Sequence, residues 1–311
     1  MTVAIDQGPS VHPRREWSSR AMAAAEPWFY VSPAVILLAT ILLVPLAIGI
    51  SYAFRDIQLL DPMSGGYVGL AHFREIWNDA NFWNALSNTL QWTITSVILQ
   101  FIFGLILAIM LNRPFPGRVL VQALVFLPWA VPAFLSGLNW AWLFNPVVGP
   151  IPHWMVALGL ATVPENILSD PSHALWGPII AIVWWGIPFF AITLLAALQS
   201  IPKDIYEAAE IDGAGPLQRF LSITVPFLAP TIAITLLLRA VWISNSADLI
   251  VVMTKGGPAD STQIVASYIF TQAFQRLDFG YASAIAVVLL AILLVYSALL
   301  IFVRQKLIKA G

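Results

Sequence analysis

The chain has 311 residues, of which 59% are hydrophobic and 10% charged, with a net charge of -1 and a mean hydropathy of +0.82. Soluble domains carry roughly 25% charged and 45–50% apolar residues, so these values place the chain among membrane proteins. The near-neutral balance gives no basic footprint for nucleic acid. The lack of cysteine removes disulfides, thiolate metal sites and cysteine nucleophiles.

Residues 1–27 read as a polar tail, with Arg14, Arg15 and Arg20 ahead of the first apolar run. That run, 28–54, exceeds the roughly 20 residues needed to cross a bilayer, so an uncleaved first membrane helix is expected, kinked at Pro33 and Pro45. Residues 55–83 mix aromatics with charges and are expected outside the bilayer, with an amphipathic surface helix and Trp77, Phe82 and Trp83 at the membrane interface. A five-helix core fills 84–303. Its spans are expected at Asn84–Leu111, Val119–Phe144, Ala174–Gln199, Phe227–Met253 and Phe279–Val303. Pro128 and Pro132, in LPWAVP, should break or bend the second of these near a cavity. The piece HWMVALGLA is too short to cross, residues 254–278 read as a loop opening with TKGGP, and 304–311 form a short basic tail. The four histidines, His12, His72, His153 and His173, make no metal-ligand spacing and read as surface or interfacial residues. The expected architecture is all-α, with six transmembrane helices.

Six spans put both termini on one side. Arg14, Arg15, Arg20, Arg113, Arg118, Lys203, Arg219, Arg304, Lys306 and Lys309 share that side, against Arg55, Arg74, Lys255 and Arg276 on the other. The positive-inside rule makes both termini cytoplasmic, and with them the loop Ile201–Pro230. This loop reads as two short helices about a glycine turn. Ser200 is an expected N-cap and Pro202 sits in the first turn. Gly213 or Gly215 supplies a left-handed stop, and Pro216 restarts a helix with Leu217, Phe220 and Leu221 on one face. Glu207 beside Ala208 and Ala209 forms a small-residue surface suited to close docking, although a merely solvated hairpin has the same pattern.

One charge lies deep in an apolar run. Arg239 is halfway between Phe227 and Met253, and an arginine at the bilayer centre costs on the order of 2.5–3.5 kcal/mol on insertion scales. Asp248 is too distant along the helix to pair with it. A water-filled path, a carboxylate from another subunit, an anionic substrate, or backbone carbonyls and water all remain open as compensation. Arg239, Trp242, Ile243 and Ser246 fall at i, i+3, i+4 and i+7, one stripe of a continuous helix. A guanidinium, an aromatic ring and a hydroxyl on one face suit a sugar with an acidic substituent.

Glu207-Ala208-Ala209, Gly213, Ile223 and Pro226 reproduce the spacing of the EAA loop of ABC importer permeases, with Val225 in place of the usual leucine. NALSNTL, LPWAVP, DLIVVMTKGGP and FGYASAIAV extend the similarity over roughly residues 29–305, towards the carbohydrate-uptake branch that includes maltose and glycerol-phosphate permeases. The resemblance implies a type I importer permease of the bacterial cytoplasmic (inner) membrane. Its 201–226 segment would be the coupling loop, with Glu207, Ala208, Ala209, Asp212 and Gly213 engaging an ATPase. The implied partners are a second homologous permease subunit in a heterodimer, two ATP-binding cassette subunits and an extracytoplasmic solute-binding protein, besides membrane lipid. This chain has no phosphate-loop motif and so no expected ATPase site, cofactor or catalytic residue; ATP and Mg would be bound by the partner ATPase.

Matching positions to the maltose branch implies substrate contacts at Trp129, Trp185, Gly186, Phe189, Arg239 and Ser246, to which the helical stripe adds Trp242. Ala133, Ile182 and Ile243 are apolar where that branch is polar, and Arg239 is newly charged, a pattern unlike a maltose site. Two other readings fit parts of the sequence: an ABC permease for a polyamine, anion or peptide, and an ion-gradient-driven carrier. The carrier accommodates Arg239 and Asp248 but gives no reason for the EAA spacing.

Overall fold

A computed structural model describes the backbone of residues 14–310 and the side chains of residues 26–302. His12 lies outside the described residues. The fold is helical, with two isolated β-bridges, Arg55 to Tyr67 and Gln58 to Asp278, the only extended pairing among the described residues. It divides into two units, residues 1–51 and 52–311.

The first unit is essentially α1, Arg14–Tyr52, which contains Pro27, Pro33 and Pro45 without interruption. Helix thus begins well before residue 28, inside the stretch read as a polar tail. Its apolar part, Glu26–Tyr52, is long enough to span a bilayer.

The second unit opens with α2, Ala71–Asn78. The long α3 follows, Ala80–Asn112, started by Asp79, whose carboxylate accepts from the Asn81 N–H at 2.9 Å. Trp77 and Trp83 are exposed and meet edge to face, but Phe82 is buried, contrary to the interfacial position expected for it. Phe82 faces inward because it joins Ile76, Ala85 and Ile285 in a cluster at one end of the bundle. His72 is also buried, its Nε2 3.1 Å from the Arg55 carbonyl, so it is not a surface histidine.

Gly117, at φ 77°, turns the chain into α4, Arg118–Ala130, and Pro132 opens α5, Ala133–Leu143. The two helices meet at 94°, so Val119–Phe144 is a broken element and not one straight span. Proline at 132 offers no N–H to continue the ladder, and at the break the Val131 carbonyl accepts from the Trp185 indole N–H at 2.7 Å. Helix α6, Pro150–Ala157, and a 3-10 turn, Ile167–Ser169, lead into α7, Trp176–Gln199.

Helices α3 and α7 form the most extensive pair in the unit. They approach so closely that a Cβ on Gly104 would lie 2.4 Å from the Phe190 Cβ. Five described helices are long and apolar enough to cross a bilayer, and the bent α4–α5 pair makes a sixth if counted as one.

After α7 come α8, Lys203–Ile211, and α9, Pro216–Arg219. A π-helical segment, Phe220–Thr224, joins α9 to α10, Val225–Ser244. The span expected to run unbroken to Met253 ends at Ser244 and resumes as α11, Asp248–Met253. Local bonds explain the stop: the Asn245 amide donates back to the Val241 carbonyl at 2.8 Å, and the Ser244 hydroxyl to that of Ala240 at 2.7 Å.

Residues 254–278 are not a plain loop. They contain α12, Val265–Phe270, and a π-helical turn, Thr271–Gln275, before α13, Phe279–Ala310. The asparagines of NALSNTL hold the segment after GGP: Asn84 donates to the Asp260 carbonyl at 2.9 Å and Asn88 to that of Gln263 at 3.0 Å.

Candidate functional site

The hairpin expected to engage an ATPase has a definite frame. Ser200 does not cap α8; it follows the last residue of α7 and bonds back to Ala197, while Pro202 occupies the N-cap position of α8. Pro202, at φ -59° and ψ 137°, is not helical, and its ring disfavours helix at Ile201 before it, which separates α7 from α8. Gly213, at φ 78°, provides the left-handed stop, and the Ala214 N–H reaches the Ala209 carbonyl at 2.9 Å.

Two side-chain links fasten α8 to α9 and the π-helical segment. Arg219 pairs with Glu210, and the Tyr206 hydroxyl lies 2.8 Å from that of Thr224. Glu207, Ala208, Asp212 and Gly213 are exposed, Ala209 is half-buried, and the neighbouring Ile211 is 87% exposed. Glu207 has no side-chain partner among the described residues, so its charge points outward while Glu210 carries the internal pair.

A second constellation surrounds Arg239. The side chain lies near the end of α10, well inside the candidate membrane span Pro216–Met253, and it is 0% exposed. Its Nε donates to Oε1 of Gln100, on α3, at 2.6 Å. Its guanidinium carbon stands 5.2 Å from the ring centre of Trp185, 5.4 Å from that of Phe189 and 5.4 Å from that of Trp242. Such rings stabilise a cation through their electron-rich faces. Nη1 and Nη2 are buried and have no hydrogen-bond partner.

The structure brings most of the expected substrate residues together. Trp129 contacts Phe189 edge to face at 6.0 Å, and Trp185 contacts Trp242 at 6.3 Å. Gly186 lies against the guanidinium. Ser246 lies beyond the end of α10 at Ser244, in the short break before α11. Asp248 starts α11 as an exposed residue and makes no ion pair with Arg239. The partner that sequence reasoning missed is Gln100. Its only signal was a polar side chain in the apolar stretch VILQF, at a separation of 139 residues from Arg239.

A third polar cluster sits at the other end of α3. Tyr268 and Tyr281 both donate to Oδ2 of Asp79, at 2.6 and 2.8 Å, tying the start of α3 to α12 and α13. Burial pushes the Asp79 carboxyl up. Hydrogen bonds from the two tyrosines and from the Asn81 and Phe82 N–H groups outweigh burial and leave it below its ordinary 3.8. A carboxylate so depressed stabilises the fold at pH values above its unfolded pKa, and that contribution is lost as pH falls through the folded value. Asp79→Asn is therefore expected to lower the thermal midpoint of the purified protein at neutral pH, and to narrow the gap to the unmodified protein as the pH falls below 3.8. Thermal scans across that range check both. Among the described residues no group of three or more His, Cys, Asp or Glu side chains is placed to hold a metal ion.

Comparison with known proteins adds to this geometry. Residues 100–309 match the family described as binding-protein-dependent transport system inner membrane component. The sulfoquinovosyl glycerol transport system permease protein SmoG of Agrobacterium fabrum is 33% identical over 279 residues, 89% of each chain. The trehalose/maltose transport system permease protein MalF of Thermococcus litoralis is 36% identical over 238 residues, 76% of this chain and 79% of MalF. Among solved structures, a chain of a bacterial ABC transporter involved in the import of the acidic polysaccharide alginate superposes with a TM-score of 0.78. It is 24% identical and covers 94% of this chain and 99% of its own, a likeness of fold.

Proposed function

Because the chain belongs to the family of binding-protein-dependent transport system inner membrane components, we propose that it is the membrane-spanning subunit of an ATP-driven importer whose cargo is a saccharide bearing an anionic group. It is a multi-pass protein of the inner membrane. The saccharide class is supported by SmoG and MalF, whose names specify a sulfoquinovosyl glycoside in one case and trehalose and maltose in the other. The anionic group is supported by one observation: a fully buried guanidinium, ringed by Trp185, Phe189 and Trp242, whose two terminal nitrogens have no hydrogen-bond partner. Two adjacent oxygens of a phosphate, sulfonate or carboxylate match that fork. The same charge disfavours a polyamine.

The working unit is this chain with a second, related permease, two ATPase subunits that bind ATP and Mg, and an extracytoplasmic binding protein that delivers the cargo. Both termini and the α8 hairpin face the cytoplasm, in line with the distribution of lysine and arginine. Uptake is measured in cells whose ATP is depleted while the ion gradients across the membrane are clamped. An ATP-driven importer stops under those conditions; continued uptake identifies an ion-driven carrier and overturns this reading.

A further inference from the structure

Gln100 is wholly buried, and both ends of its amide are engaged. Nε2 donates to the Ile182 carbonyl of α7 at 2.7 Å, and Oε1 accepts from Arg239 at 2.6 Å. A carbonyl only accepts, so the amide has a single orientation with both bonds made, its oxygen towards the arginine. The space the two side chains share exists because position 186 is glycine. A Cβ there would lie 2.1 Å from Nη2 of Arg239 and 2.3 Å from Cδ of Gln100. Helices α3, α7 and α10 therefore converge on a chamber cut to a guanidinium and an amide.

What fills that chamber is electrically unusual. A glutamate at position 100 would match glutamine in size and cancel the arginine's charge, the common arrangement for a buried cation. Glutamine satisfies one N–H and leaves the charge standing, and the aromatic rings likewise stabilise a cation without neutralising it. An arginine keeps its proton under such conditions. The result is a fixed positive charge with one nitrogen held and two buried without a hydrogen-bond partner. Of the three rings around it, Trp242 is the most open, at 49% exposure.

We infer that Gln100 is a positioning residue for cargo selection: it aims Arg239 while leaving its charge unpaired, and so sets the preference for anionic over neutral saccharides. The inference rests on the proposed function, as it presumes that Arg239 meets cargo.

The test uses the whole complex, purified without the binding protein so that the permease's own selectivity is read. Affinities are measured by calorimetry for sulfoquinovosyl glycerol and glucuronate as anionic probes, and for maltose and glucose as neutral ones. Gln100→Glu is expected to lower the anionic-to-neutral affinity ratio by about tenfold or more, the scale of one charge-assisted bond. Gln100→Leu keeps the charge but frees its aim, and is expected to lower the ratio by a smaller factor of about three. Co-purification of the ATPase subunits shows which variants assemble; if Q100E does not, Q100L decides alone. An unmoved ratio in the assembled variants makes Gln100 a packing residue and overturns the inference, leaving the proposed function intact. Absence of any anionic preference in the unmodified complex overturns the proposed function itself, and the inference with it.

Discussion

Arg239→Ala in the assembled importer is expected to reduce uptake of an anionic saccharide by about a hundredfold, with neutral saccharides affected far less. The magnitude comes from the bonds at stake. A hydrogen bond to a charged group contributes about 1.5–3 kcal/mol, two such bonds from Nη1 and Nη2 define the fork, and each 1.4 kcal/mol is tenfold. Arg239→Lys keeps the charge but loses the planar pair of donors, so it should recover part of the anionic uptake. The split between cargoes is the informative readout. A purely structural arginine, held for the sake of Gln100 and the three rings, would reduce both cargo classes together or neither, and transport assays with matched anionic and neutral substrates separate these cases. The side chain is fully covered in this conformation, so binding requires a ring to swing aside, consistent with a transporter that opens its site in alternation.

The sequence displays one half of this arrangement and hides the other. Arg239 stands out because a charge in an apolar run is costly wherever it lies, and Pro132 marks the bend because proline withdraws an N–H whatever surrounds it, whereas α4 runs through Pro128 unbroken. These are local properties. The acceptor at Gln100 is a tertiary property: a glutamine in an apolar helix says that a partner exists, not which helix supplies it. Ser246 falls beyond the end of α10 for a related reason. Its place on the Arg239 stripe presumed a helix continuing to Met253, and side-chain bonds from Ser244 and Asn245 to the turn behind them favoured a break that hydrophobic periodicity does not register. Phe82 and His72 were misplaced because an aromatic or a histidine suits the interface and the bundle interior equally well, and only tertiary contacts decide: Phe82 packs with Ile76, Ala85 and Ile285, and His72 meets the Arg55 carbonyl and Tyr281. The EAA hairpin was legible as a motif because its spacing lies within one short loop, although its N-terminal boundary shifted from Ser200 to Pro202.

Glu207→Ala and Ala208→Asp are expected to leave the chain inserted in the membrane but to lower ATP-driven uptake by about tenfold or more, the first by removing the charge proposed to meet the ATPase, the second by placing a bulkier, second negative charge beside it. The geometry explains why so small a surface should matter. Helix α8 is tethered to the next helical stretch by the Arg219–Glu210 pair and by the Tyr206–Thr224 contact. From Pro216 that stretch runs through the π-helical segment and α10 to Ser244, carrying Arg239 near its far end. From Arg219 to Arg239 is about 30 Å at 1.5 Å per residue. If a closing ATPase pair displaces α8, these tethers would pass the movement to the helix that carries Arg239. The π-helical segment lies at the root of this stretch, and such segments are frequent at functional sites. Glu207 suits the contact because Glu210 already answers Arg219, leaving Glu207 free for a cation on the partner. Membrane insertion is followed by fractionation, assembly by co-purification of the ATPase, and coupling by the stimulation of ATP hydrolysis on adding cargo-loaded binding protein. Full transport by both variants would mean that α8 is a solvated hairpin and that force reaches α10 by another route.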